Sequence, residues 1–257
     1  MYNRARAGIL GGESLSRQLF VVVLAAAGAL LRVPAVSGAE LSAGQLVAGL
    51  VDKSRDVRES SEKQLVKMGP EAIPQLLANA DNAKKHDAIV RIFNKMSCDA
   101  VPSLIKFLDD DSLRTKAGSM LFQAASPDCA RQMGGLLACM ESPKGGSYCG
   151  AALVRASGPK AKSQLPELKK RMAISDKNLR AYIVAAIGEI GKKASSADPE
   201  LLAAMKDPAP IVRLAAVVAL GKTRVKDQAA REALKAAAGD TDSEVSHEAG
   251  ELLKALK

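Results

Sequence analysis

A repeating apolar pattern constrains the fold of this chain more than any other feature. Aligning the chain on a Val/Leu-Arg pair and the apolar helical pattern behind it gives seven anchor positions: Arg58, His86, Arg114, Ser147, Arg180, Arg213 and Ser246. Seven residues after each anchor stands a large apolar residue: Leu65, Phe93, Leu121, Val154, Ile187, Leu220 and Leu253. A match in every unit predicts a repeat protein, in which each unit buries its apolar face against its neighbours.

Each unit is predicted to contain two helices. In the unit anchored at Arg180, apolar residues at helical spacing share one face: Ile183, Ala186, Ile187 and Ile190. Glycines stand eleven residues after three of the anchors, where a helix is expected to end in a left-handed cap: Gly69, Gly158 and Gly191. A second helix is then predicted over residues 72–80, 100–108, 129–140, 162–172, 199–205 and 228–238.

The resulting prediction is an all-α fold, an α-solenoid of about six to seven two-helix repeats. Acidic residues close most units, among them Asp176, Asp207 and Asp240. No stretch after residue 39 alternates like a β-strand, and β-branched residues are sparse, so almost no sheet is expected.

Two segments resemble the HEAT-repeat family of armadillo-like solenoids, in its short-repeat form. They are residues 207–216, DPAPIVRLAA, and residues 176–181, DKNLRA, in which an Asp precedes the first helix and an apolar-Arg pair lies in its first turn. The resemblance covers residues 52–257 and implies an extended concave surface for binding, lined by the second helices. Two units depart from it, because His86 and Ser147 replace the Arg.

The N-terminal segment has the features of a secretory signal. Basic residues precede an apolar run over 19–31, which Arg32 closes, and Ser37 and Ala39 fit the positions that a signal peptidase recognises. We therefore predict cleavage near Ala39, with a signal peptide over 1–39, a repeat domain over 40–257 and a periplasmic or secreted protein. The run is shorter than the roughly 20 residues that span a bilayer, so no stable membrane span is expected. An uncleaved anchor remains the alternative.

Export favours disulfides among the four cysteines, although buried free thiols are the alternative. Cys98 and Cys129 come just before or at the start of the second helices of consecutive units. Cys139 ends one second helix, and Cys149 lies in the first turn of the next helix. We predict the pairs Cys98–Cys129 and Cys139–Cys149. Their spacing contains no CxxC, which argues against zinc.

Two other patterns are candidate binding sites. The first pattern is the series of Arg anchors, which we interpret as ion pairs that stack the repeats. The alternative is a row of phosphate-binding sites. The series is Arg58, Arg114, Arg180 and Arg213. His247-Glu248 resembles the His-Glu pairs by which a HEAT-like hydroxylase family holds two irons, but that site needs four such pairs. No metal and no cofactor are therefore predicted.

The positive charge of the chain is concentrated in one segment. The chain carries 37 basic and 28 acidic residues, and the segment 160–193 holds nine basic residues against three acidic ones. Its candidate binding residues are Lys162, Lys169, Lys170 and Arg171. Lys162 and Lys169, seven residues apart, are expected to share a helix face that presents charge on the concave surface. An ordinary solvated face is the alternative.

These observations favour an exported, non-catalytic scaffold whose concave surface binds another protein or an anionic surface. One alternative is a HEAT-like nucleic-acid-binding protein or DNA glycosylase. The chain has three Tyr, four Phe and no Trp, which leaves little for base stacking, and export would remove the substrate, so nucleic acid is disfavoured. A further alternative is a lyase-type HEAT-like enzyme, similar to those that attach bilin pigments inside the cell.

Overall fold

The computed structural model describes residues 40–223 and 228–255, apart from the side chains of residues 196 and 197. The predicted signal peptide, residues 1–39, lies outside the described residues. The following description concerns the compact unit Leu41–Lys257. Within its described part, no helix is long and apolar enough to cross a membrane.

The described residues form α-helices and short 3-10 segments, without a β-strand. The α-helices are α1 (Ala43–Gly49), α2 (Arg55–Met68), α3 (Ile73–Ala78), α4 (His86–Met96), α5 (Val101–Phe107), α6 (Arg114–Ala124), α7 (Met133–Cys139), α8 (Gly146–Ala156), α9 (Leu165–Arg171), α10 (Lys177–Ile190), α11 (Asp198–Ala204), α12 (Pro210–Thr223), α13 (Gln228–Ala237) and α14 (Ser243–Ala255). The 3-10 segments are Gly69–Ala72, Ser97–Asp99, Pro127–Gln132, Pro159–Gln164 and Gly191–Ala197. The all-α prediction is confirmed.

The helices form a stack of two-helix units, as the repeat predicted. Units 1 to 6 each consist of a first helix and the second helix that follows it, from α2 with α3 to α12 with α13. Unit 7 begins with α14, and α1 precedes unit 1. First helices pack on the first helices of neighbouring units, so α10 contacts both α8 and α12. The fold is an α-solenoid.

The repeated apolar position lies in the core that runs along the stack. Five of its seven members are buried: Leu65, Phe93, Leu121, Ile187 and Leu220. Val154 and Leu253, the other two, pack against the same core while remaining partly exposed. This continuity explains why single units need their neighbours, because each apolar face is covered by the next unit.

The predicted glycine caps are confirmed in part. Gly69 and Gly191 have positive φ values of 63° and 67°. Gly158 was expected to do the same but is extended, with φ 179°. Close packing explains this glycine, because a Cβ atom there would lie 2.9 Å from Cβ of Pro127. Ser97 occupies the equivalent place in unit 2 and has φ 46°, a conformation that costs a residue with a side chain free energy.

Two disulfides join the middle units, in the pairs expected from the sequence. Cys98–Cys129 connects units 2 and 3 with a Cα–Cα distance of 5.0 Å. Cys139–Cys149 connects units 3 and 4 with a Cα–Cα distance of 5.9 Å. Both distances lie in the range that a disulfide spans. Cys129 belongs to a 3-10 segment ahead of α7, rather than to the predicted second helix.

Candidate functional site

The anchor side chains bind the turn that precedes their own helix. Each of five anchors contacts the carbonyl oxygen six residues earlier: Arg58 Nη1 to Asp52 at 2.6 Å, His86 Nδ1 to Ala80 at 2.9 Å, Arg114 Nε to Leu108 at 2.8 Å, Arg180 Nη1 to Ile174 at 2.9 Å and Arg213 Nη1 to Asp207 at 2.9 Å. The imidazole of His86 therefore takes the place of an Arg side chain, which explains one departure from the repeat pattern.

Arg180 and Arg213 also bind a carboxylate of the following unit. Arg180 Nε and Nη2 donate to Oδ2 and Oδ1 of Asp207 at 2.9 and 3.0 Å. Arg213 makes the same two bonds to Asp240, both at 2.7 Å. These bidentate pairs confirm that the Arg side chains stack the repeats at these two places. Arg114 instead pairs with Asp111 of its own turn.

The pairs shift the pKa values of both carboxylates downward. The hydrogen bonds from Arg213 hold the pKa of Asp240 below its usual value. Burial acts to raise the pKa of Asp207, but hydrogen bonds from Arg180 and from the Ala209 N–H outweigh it, so this pKa is lowered too. Both carboxylates are therefore ionised in their pairs at neutral pH.

The structure separates Lys162 from the other three predicted binding residues. Lys162 is exposed in the 3-10 segment Pro159–Gln164 and precedes α9. The expectation that it shares a helix face with Lys169 is therefore wrong, because the helical spacing begins only at Leu165. Lys170 is exposed on α9. In the part of the chain that the structure describes, neither Lys162 nor Lys170 forms a salt bridge.

Lys169 and Arg171 take part in contacts between units. Lys169 Nζ lies 2.6 Å from Oε1 of Glu200, which joins unit 4 to unit 5. Arg171 pairs with Glu141 of unit 3 and donates to the carbonyl oxygen of Leu137 at 3.2 Å. Its Nε also donates to Glu167 at 2.8 Å, which raises the pKa of Arg171. The four candidates thus divide into two stacking residues and two exposed cations.

The neighbouring second helix, α7, has a surface almost without side chains. Gly134, Gly135 and Ala138 are exposed there, and a Cβ atom at Gly134 would have no neighbour within 4 Å. The hydrogen bond from Arg171 to Leu137 places α9 beside α7. Sequence reasoning missed this surface, although two adjacent glycines inside a helix, each costing about 1 kcal/mol relative to Ala, are a visible signal.

The described residues contain no group of three or more His, Cys, Asp or Glu side chains placed to hold a metal ion. His247, the residue considered for iron, is exposed on α14.

Comparison with known proteins agrees with this geometry. The model of the HEAT repeats family matches residues 165–254. The solved structure of an archaeal HEAT-like repeats protein from Thermococcus onnurineus NA1 is similar, with a TM-score of 0.53, 10% identity and coverage of 85% of this chain and 98% of that chain. The chain has the fold of a HEAT-like α-solenoid. The segment that matches the HEAT repeats family begins at α9 and includes both bidentate Arg–Asp pairs.

Two other solved structures align with most of this chain. One is a designed armadillo repeat protein in complex with the peptide (KR)4, at 18% identity and a TM-score of 0.47, covering 84% of this chain and 100% of that chain. The other is the complex of the two phycocyanin lyase proteins from Nostoc, at 16% identity and a TM-score of 0.35, covering 89% and 100%. No curated protein sequence matched the chain.

Proposed function

We propose that this HEAT solenoid is an exported, non-catalytic scaffold that binds a protein partner on its second-helix surface, in the periplasm or outside the cell. The observation that carries the proposal is the juxtaposition on units 3 and 4. Lys162 and Lys170 are exposed on unit 4. Arg171, the residue after Lys170, donates to Leu137 of α7, whose exposed surface carries Gly134 and Gly135. A partner backbone can approach such a surface closely, and nearby cations attract acidic side chains.

Two of the four candidate residues stabilise the stack, and the other two are proposed to contact the partner. Lys169 and Arg171 are engaged with Glu200 and Glu141, so they hold the second helices in place beneath the partner. Lys162 and Lys170 supply the attraction. The sequence offers no nucleophile, acid pair or metal cluster, which supports a binding role without catalysis.

Export is part of the proposal and has its own test. The signal geometry of residues 1–39 predicts a mature N-terminus at or within a few residues of Glu40. The two disulfides fit an oxidising compartment. Mass spectrometry of the protein isolated from its native cells measures the terminus directly. An N-terminus at Met1 or Tyr2 would contradict export and would favour the nucleic-acid-binding alternative.

Crosslinking in the native compartment, followed by mass spectrometry, identifies the partner. The test variant is Lys162→Glu with Lys170→Glu, and the matched control is Lys206→Glu with Lys235→Glu, which reverses two exposed charges on units 5 and 6. We expect the test variant to lose capture at low salt with an unchanged Tm, because exposed charges steer binding but contribute little to folding. Equal capture by both variants would place the binding surface elsewhere, and crosslinked nucleic acid would refute the protein-binding role.

A further inference from the structure

Arg58 is held like Arg213 but lacks the carboxylate that Arg213 binds. Its Nη1 donates to the carbonyl oxygens of Asp52 and Lys53 at 2.6 and 3.0 Å. Nη1 of Arg213 makes the same two bonds to its own preceding turn. In the described residues, no carboxylate accepts a hydrogen bond from Nε or Nη2 of Arg58. These two bonds therefore fix the direction of the Arg58 guanidinium group. Its other edge, formed by Nε and Nη2, has no acidic partner in the described residues.

A single residue difference explains the missing carboxylate. Asp207 and Asp240, the partners of Arg180 and Arg213, stand six residues before the next anchor. The equivalent residue before His86 is Ala80, whose methyl group cannot accept a hydrogen bond. The C-terminal units thus show which group this guanidinium edge binds, because a carboxylate matches its two parallel N–H donors.

Arg58 lines an open cleft between α2 and α4, which we call the Arg58 cleft. Five cations line it: Arg55, Arg58, Lys63, Arg91 and Lys95. Two carboxylates lie among them, so the lining carries three excess positive charges. Leu50 and Ala88 supply apolar surface. The lining includes no aromatic ring on which a nucleic-acid base would stack.

The two carboxylates pair with the other three cations of the cleft. Glu62 Oε1 lies 2.7 Å from Lys95, and its Oε2 lies 3.3 Å from Arg91. Burial acts to raise the pKa of Glu62, but these hydrogen bonds outweigh it and keep the pKa below its usual value. Glu59 pairs with Arg55 at 2.6 Å. Lys63 is exposed and makes no salt bridge within the described residues. Lys63 and Arg58 are therefore the two cations that attract an anion to the cleft.

We propose that the Arg58 cleft binds a carboxylate side chain from an acidic peptide segment of a protein partner. The carboxylate takes on Arg58 the place that Asp207 takes on Arg180. This site lies on the first helices of units 1 and 2, whereas the proposed scaffold surface lies on the second helices of units 3 and 4. The two sites are therefore independent.

Fluorescence anisotropy with the full chain tests the proposal at low salt. The probe is a fluorescein-labelled oligo-aspartate peptide, and the corresponding oligo-asparagine peptide is its uncharged counterpart. We expect Lys63→Glu to weaken probe binding about fivefold or more, because it places a negative charge beside Arg58. Lys67→Glu reverses an exposed charge on the same helix outside the cleft, and should change binding less than about twofold.

Ala80→Asp provides a second, independent variant. It supplies Arg58 with the carboxylate that the C-terminal units have, so it should weaken probe binding about tenfold with a Tm equal to or above that of the wild type. If this variant does not fold, the comparison of Lys63→Glu with Lys67→Glu still tests whether the Arg58 cleft binds the probe. Lys235→Glu reverses an exposed charge on unit 6, outside both proposed surfaces, and should leave probe binding unchanged.

Three outcomes would overturn the proposal. The first is equal binding of the oligo-asparagine peptide. The second is equal weakening by Lys63→Glu and Lys67→Glu, which shows unspecific attraction to positive charge. The third is binding of phosphatidylserine vesicles, lost in Lys63→Glu, together with no binding of the oligo-aspartate peptide, which assigns the cleft to lipid headgroups.

Discussion

A methyl group on Gly188 would lie 2.8 Å from the Cα atom of Ala219. Gly188 is buried in α10 and Ala219 in α12, so the two first helices meet backbone to backbone at this point. The two backbones can approach this closely only because Gly188 has no side chain. The glycine sets the spacing between units 5 and 6.

Gly188→Ala should therefore destabilise the fold by about 1–3 kcal/mol, because the helices must separate to admit the methyl group. Urea unfolding measures the free energy of unfolding. Gly250→Ala is the matched control, since Gly250 lies in α14 with nothing within 4 Å of a Cβ atom. The control should gain about 0.5–1 kcal/mol from helix propensity. A Gly188→Ala variant as stable as the wild type would contradict the close approach.

Sequence reasoning predicted most features that repeat, and it missed single contacts that depend on the distance between two helices. The core position of Leu65, the paired helices and the stacking role of Arg213 follow from periodicity, because the same physical demand recurs in every unit. The close approach at Gly188 depends on the distance between two helices, which no local pattern encodes. The missing carboxylate at Ala80 becomes meaningful only when the structure shows which atoms its counterparts bind.

The candidate binding residues illustrate the same limit. Lys169 and Lys170 are adjacent in sequence, yet Lys169 reaches Glu200 and Lys170 is exposed. Which neighbour a long side chain reaches depends on the next unit in the stack. The sequence reasoning placed Lys162 on a helix face shared with Lys169, to which it does not belong.

Ser97 should gain stability when replaced by glycine. Its φ of 46° and ψ of −125° resemble the conformations of Gly69 and Gly191, which residues with a side chain adopt at a cost. Ser97→Gly should raise the free energy of unfolding by about 1 kcal/mol, less the contribution of its hydrogen bond to Ser126. Thermal unfolding measures this change. Ser97→Val should lower the Tm, and a higher Tm for the valine variant would refute the strained conformation.

The Arg213–Asp240 pair should make the stability depend on acid pH. Because the folded-state pKa of Asp240 is lowered, its contribution is fully present above its unfolded-state pKa of about 4 and is lost as the pH falls through the folded-state pKa. Asp240→Asn should cost about 1–3 kcal/mol at pH 7. The difference from the wild type should shrink in strong acid.

Urea unfolding over a pH series measures that difference. Asp109→Asn is the control, because Asp109 is exposed and makes no salt bridge in the described part of the chain. A pH-independent difference between Asp240→Asn and the wild type would show that the carboxylate is not ionised in the pair.

Removal of the disulfides should destabilise the middle of the stack unequally. Cys98–Cys129 closes a sequence separation of 31 residues and Cys139–Cys149 one of 10. Loop-closure entropy then gives about 3–4 kcal/mol for the first and about 2–3 kcal/mol for the second. Cys98→Ser with Cys129→Ser, compared with Cys139→Ser with Cys149→Ser, tests this order by urea unfolding. A larger loss from the second double variant would contradict it.

The links between units differ in kind along the chain, and this sets the order in which units open. Covalent bonds join units 2, 3 and 4, whereas the bidentate Arg180–Asp207 and Arg213–Asp240 pairs join units 5, 6 and 7. A reducing environment removes the first kind and leaves the second intact. Hydrogen exchange under reduction should then accelerate in α6 and α8 while α12 keeps its protection, so the redox state of the surroundings determines whether the middle units open before the C-terminal ones.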